Sequence, residues 1–101
     1  MFLKVEVSAE TKDQANEILN VLLDRKLVAG AAIIDAPSKF WWKGKLEEMT
    51  YYTISGFTLD SNKKAIIEVV EVLSKEEVPM IWFFEMDGNK KLLDWVSESL
   101  S

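Results

Sequence analysis

Lys45 and Glu47 stand two residues apart in the run Trp41-Trp42-Lys43-Gly44-Lys45-Leu46-Glu47-Glu48. On a strand, that spacing puts an ammonium and a carboxylate on one face, where they could work as an acid-base pair or join two subunits by a salt bridge. Nothing nearby marks a nucleophile for such a pair to activate, so a plain surface pair is the favoured reading. Trp41 and Trp42 point to opposite faces of the same extended segment, one toward a core or interface and the other toward the hairpin surface. Packing accounts for both more simply than stacking on a ligand. A hard cation would need several oxygen ligands converging at one place. Asp35, Glu47, Glu76 and Glu77 are the foremost candidates, followed by Glu48, Glu85 and Asp87, and none shows the spacing of a calcium loop. Met49, Met80 and Met86 offer thioethers to Cu(I), but isolated methionines read as core filler.

The chain has neither cysteine nor histidine. Disulfides, thiolate metal sites, cysteine nucleophiles and imidazole ligands are all excluded, and with them many enzyme classes. We therefore expect no catalysis. The formal charge of −5, with no basic run, argues against nucleic acid, whose phosphates draw most of their binding energy from clustered Lys and Arg. At 101 residues and about half apolar, the chain suits a single domain over 1–101 with one core. Met1 to Val7 lacks the apolar core of a signal peptide, and no stretch approaches the roughly 20 apolar residues of a membrane span. The expected location is the cytoplasm, with no membrane partner.

The elements that must position these residues follow from periodicity. Phe2 to Val7 alternates as a strand, with Leu3, Val5 and Val7 on one side. Ala15, Ile18, Leu19, Leu22 and Leu23 recur at helical spacing between Thr11 and Lys26. Leu27 to Ile34 reads as a second strand, and Pro37 predicts a bend or bulge before Lys39 to Trp42. Lys43 and Gly44 form a hairpin tip, and Met49 to Thr58 a third strand with a bulge or close contact at Gly56. Asp60 or Ser61 can cap a second helix carrying Ala65, Ile66, Val69, Val70 and Leu73. Met80 to Met86 makes a fourth strand, and Asp87-Gly88-Asn89 turns into a last helix with Leu92, Leu93, Trp95 and Val96.

The order β-α-β-β-α-β-α predicts an α+β protein, a ferredoxin-like βαββαβ sandwich with an antiparallel sheet and an extra C-terminal helix. Met80-Ile81-Trp82-Phe83-Phe84 is apolar on both faces, although helices on one side of a sheet cover only one. Each of those side chains left wet would forgo about 1.5–3 kcal/mol of burial. A partner subunit is the economical cover, with the terminal helix as the alternative.

Three blocks in their order along the chain resemble the CutA divalent-cation tolerance family. The Trp41–Glu48 run is similar to that family's Trp-Trp-x-Gly-Lys-(Ile/Leu)-Glu hairpin. Glu77-Val78-Pro79 resembles the entry to its fourth strand, and Gly88-Asn89-x-x-Leu92-Leu93-x-Trp95 its closing helix. Leu27 to Ile34 stands where the family carries Leu-Ala-Ala-Cys-x-(Asn/x)-Ile. The resemblance implies a ferredoxin-like subunit in a tight homotrimer joined through strand edges and hairpins. It also implies an association with tolerance of, or response to, divalent metal, especially copper, and a small ligand or metal at a subunit interface. Trp41, Trp42, Lys45, Glu47, Glu77 and Pro79 are then the candidates for such a ligand or intersubunit site.

The departures fall on polar chemistry. Gly30 replaces the family cysteine, Ser74-Lys75-Glu76 replaces His-Pro-Tyr, and Met80 replaces the acidic residue after the proline. Ser55-Gly56-Phe57-Thr58 lacks the lysine of the family's Lys-Thr-Thr, and the loop around Asp35-Ala36-Pro37 is shorter than the family pattern. Losing soft and imidazole ligands removes the simplest explanation of copper binding. The expected binding of copper, as the one cofactor implied, is weak. Two relatives in architecture fare worse. A PII-type signalling trimer would need a long exposed loop and a phosphate-cradling cluster, and an acylphosphatase would need Arg and Asn after the first strand, where Ser8-Ala9-Glu10-Thr11 stands. A non-catalytic trimeric scaffold or interaction protein is the alternative to a metal-tolerance role.

Overall fold

Alternation of Leu3, Val5 and Val7 with Phe2, Lys4 and Glu6 makes β1 (Phe2–Val7) a central strand. The computed structural model, which describes residues Met1–Ser101, orders the sheet β2-β3-β1-β4, with β2 at Gly30–Trp42, β3 at Lys45–Leu59 and β4 at Ile81–Glu85. Every pairing is antiparallel. The helices are α1 (Lys12–Asp24), α2 (Lys63–Leu73) and α3 (Lys90–Leu100). This is the α+β, ferredoxin-like arrangement with one extra helix.

Thr11 starts α1 by accepting a 3.1 Å hydrogen bond from the Gln14 N–H, the N-cap contact that satisfies an orphan donor. The helix stops at Lys26, whose φ of 54° reverses the chain as a glycine commonly does. Asp60 and Ser61 do not cap α2. They lie in a 3-10 turn, Asp60–Asn62, that leads into the helix without a side-chain cap bond. Ile18, Leu22, Ile66 and Val70 from the two helices pack on Val5, Val7 and Ile54 of the sheet, forming one core.

Pro37 introduces no bend. Strand β2 runs unbroken from Gly30, opposite Phe57, to Trp42, opposite Lys45, with Pro37 opposite Thr50. There is accordingly no loop at Asp35-Ala36-Pro37. The physical reason is position: β2 is an edge strand, where alternate N–H groups meet no partner, so a proline can be accommodated without losing a ladder bond. Gly56 marks close approach and not a bulge, since a Cβ there would stand 3.0 Å from both the Ala31 Cβ and the Gly30 carbonyl oxygen. Lys43 and Gly44, both at positive φ, close the hairpin in the type I′ manner that matches strand twist.

Beyond the backbone bonds joining Tyr52 and Ala9, β2 and β3 continue as a two-stranded arm, which stretches the molecule to 44 Å against 25 and 21 Å in the other directions. The other face of the sheet carries α3. Its Trp95 indole lies 3.0 Å from where a Cβ on Gly30 would stand and meets the Phe57 ring edge-on at 6.2 Å. Helix α3 thus covers the Gly30–Phe57 end of this face only. Ile34 at 49%, Phe84 at 49% and Trp82 at 38% exposure remain open on the rest of it.

Candidate ligand-binding cleft

The strand period places Phe40 and Trp42 on one face of β2, directly opposite Glu47 and Lys45 of β3, with Met49 and Tyr51 following at every second residue. Where the arm leaves the body, that face meets the loop after β1 and the loop before β4. The result is a cleft of about 340 Å³ lined by Glu10, Phe40, Trp42, Glu47, Glu48, Met49, Tyr51, Glu76, Glu77 and Val78.

The loop before β4 is pinned from two sides. The Ser8 hydroxyl donates to the Glu76 carboxylate at 3.1 and 3.3 Å and accepts from the Met80 N–H at 3.2 Å. The Lys75 N–H donates to the buried Gln14 Oε1 at 2.8 Å. Burial raises the Glu76 carboxyl above its ordinary value, the Ser8 bond partly offsets this, and the Glu10 charge adds to the rise. Tyr51 is raised in the same direction, by burial first and then by the Glu76 and Glu10 charges. The three groups therefore share one electrostatic neighbourhood, although they come from distant parts of the chain.

Of the residues singled out in the sequence, Trp42, Glu47, Glu76 and Glu77 line this cleft, and Pro79 follows its last residue, Val78. Trp41 lies opposite Leu46 on the other face of the arm and is 74% exposed. Lys45 shares a strand face with Glu47, but the two form no ion pair; the bridges of the arm are Lys39 to Glu48 and Lys43 to Glu77, both at 3.4 Å. Both are well exposed and worth a few tenths of a kcal/mol at most, on the order typical of surface pairs. Asp35 stands opposite Tyr52, away from the cleft face. Sequence reasoning missed Glu10, Ser8, Phe40 and Tyr51 as a group. The two-residue spacings Phe40/Trp42 and Glu47/Met49/Tyr51 were a usable signal for the arm, whereas nothing local ties Glu10 to it.

The cleft offers carboxylates, one thioether and the Tyr51 phenol, and no three acidic groups converge closely enough to hold a metal ion. Oxygen donors suit hard cations, while copper favours sulfur and imidazole. These residues do not fit a resident copper centre. Nor does Gly30 leave an open position where a cysteine would sit, since the Trp95 indole fills that space.

The family model for the CutA1 divalent ion tolerance protein matches residues 3–99. The chain belongs to the CutA family. It is 28% identical over 97 residues to the divalent-cation tolerance protein CutA of Archaeoglobus fulgidus, covering 95% of both chains. It is 29% identical over 89 residues to the CutA of Thermococcus kodakarensis, covering 87% of this chain and 86% of that one. A solved structure of the A. fulgidus protein, described as periplasmic, superposes with a TM-score of 0.95 at 27% identity over the full length of both chains. The CutA1 structure from Thermus thermophilus shares the fold at a TM-score of 0.93 and 24% identity, again over both full lengths. The CutA fold thus extends over the whole chain, including the arm. No helix is long and apolar enough to cross a membrane.

Proposed function

We propose that this protein serves divalent-cation tolerance without catalysis, as a cytoplasmic homotrimer that keeps no dedicated copper site. The observation that carries the reading is the cleft's donor set: it lacks thiolate and imidazole, and its carboxylates are spread along the walls. Family membership supports the tolerance role.

Assembly is supported by what the single subunit leaves wet. Trp82, Phe84 and Ile34 are exposed on one sheet face, and Trp41 and Leu46 on the arm, at 74% and 61%. A two-stranded ribbon is marginally stable in water by itself, so an arm of this length calls for a neighbour against which to pack. Cytoplasmic residence rests on composition, whereas the A. fulgidus relative is described as periplasmic.

One preparation tests both parts. Light scattering should give a native mass of three times the 11.6 kDa subunit, and calorimetric titration with Cu(II) should give weak, non-stoichiometric heats. A monomer would overturn the assembly, and a stoichiometric submicromolar copper site would overturn the rest.

A further inference from the structure

Helices α1 and α2 pack one side each against Val5, Val7 and Ile54 of the sheet, and their outward sides enclose a hollow of about 380 Å³. Val21 of α1 and Val69 and Leu73 of α2 give it an apolar floor. Arg25, which ends α1, and Glu68 of α2 line it from different walls, one from each helix. Neither is in an ion pair within the subunit. Val72, one helical turn beyond Glu68, lines the same hollow at 83% exposure, the highest of any large apolar residue in the chain.

Two features set this patch apart from ordinary surface. A β-branched residue is a weaker helix former than Lys, Glu or Gln, and no burial within the subunit compensates for that at Val72. The other feature is self-complementarity. A twofold contact brings residue i of one copy onto residue j of the other and j onto i, so its patch holds both members of each complementary pair. Arg25 on one wall answers Glu68 on the other, and the apolar wall at Val21 answers the protruding Val72. With the axis along the groove, α1 of each copy faces α2 of the other and both pairs form twice. A patch that carries its own complement fits a second copy of this chain, whereas an unrelated partner must supply the opposite pattern. The groove lies on the far side of the helices from Ile34, Trp82 and Phe84, so this contact and one through the open sheet face do not compete.

We propose that the α1–α2 groove is a self-association surface, across which two copies of this chain meet about a twofold axis. Val72 of each copy seats on Val21 of the other, and Arg25 of each pairs with Glu68 of the other. Two turns of two helices offer less than the roughly 800 Å² per partner of a stable interface, so the contact forms at high protein concentration. The inference does not rest on the preceding proposal, since a monomer would become a dimer and trimers would be joined to one another.

The test is sedimentation equilibrium of the full-length protein from about 5 µM to about 500 µM, a span that covers weak, transient contacts. The mean mass should climb from that of the basal assembly toward at least twice it. Val72→Lys, which puts an unpaired charge into the contact, and Arg25→Glu, which sets like charges face to face, should each weaken association at least about tenfold. Arg25→Glu combined with Glu68→Arg should restore it, a rescue that a role within one subunit would not produce. All three residues are exposed, so the variants keep the fold. Trp82→Glu, on the open sheet face, should lower the basal mass and keep the rise. A mass independent of concentration, a rise that survives Val72→Lys, failure of the double variant to rescue, or a rise lost in Trp82→Glu would each overturn the proposal.

Discussion

On the helix-covered face of the sheet, Val5, Val7 and Ile54 are completely buried against Ile18, Leu22, Ile66 and Val70. The opposite face of the sheet holds Ile34 on β2 and Trp82 and Phe84 on β4 at 38–49% exposure, among Glu6, Ser8 and Thr53. The closed face is built from aliphatic side chains of similar size, which interdigitate with helices from the same chain. The open face mixes large aromatics with polar residues, the composition of surfaces that meet another molecule. Both obey the same two-residue alternation. Apolar content thus does not distinguish them; what does is whether this chain supplies the cover. Helix α3 supplies it at the Gly30–Phe57 end and goes no further.

The contrast can be broken most forcefully on the closed side. Ile54→Ala should cost about 2–5 kcal/mol in urea unfolding, the range for truncating a buried aliphatic side chain into a cavity. A loss below about 1 kcal/mol would mean that the core is looser than its burial implies. On the open side, Trp82→Glu should change the stability of an isolated subunit by only about 0.5 kcal/mol, as surface substitutions do. Its effect should appear in the native mass instead, which falls to that of one chain. A variant that keeps its mass would place the subunit contact elsewhere.

The finest probe is pH, acting at the edge between the two regions. Glu76 has a folded-state value raised above the ordinary 4.5, so the native state holds its proton more tightly than the unfolded chain does. Its contribution to stability is therefore full below about pH 4.5 and is lost as pH rises through the raised folded value. Glu76→Gln should remove this fall, so that the difference between variant and parent changes with pH in that window and is constant above it. Unfolding curves recorded from pH 4 to pH 8 check it, and parallel profiles would show that Ser8 compensates the burial completely.

Much of the fold was legible because it depends on local period. The alternation in Phe2–Val7, the 3.6-residue spacing from Ala15 to Leu22 and the Lys43-Gly44 reversal need only short-range sterics and one apolar side per element. Pro37 was misread because a proline's effect depends on whether its strand is an edge, and strand order is set by pairings far apart in the chain. Asp60 and Ser61 failed as caps because the chain leaves β3 through a 3-10 turn that puts Asn62, and neither of them, at the N-cap position of α2.

The sequence by itself determined the order of the elements, the family and the donor types, because these reside in residue identity and short spacing. It excluded thiol and imidazole chemistry outright. Only the tertiary structure decided that Glu10, Glu47, Tyr51 and Glu76 share a cleft and that Asp35 does not. Those meetings join segments well separated in the chain, up to the 68 residues between Ser8 and Glu76, and no local pattern encodes them. They follow from strand register and from the docking of loops, where burial shared by the whole domain fixes which side chains meet.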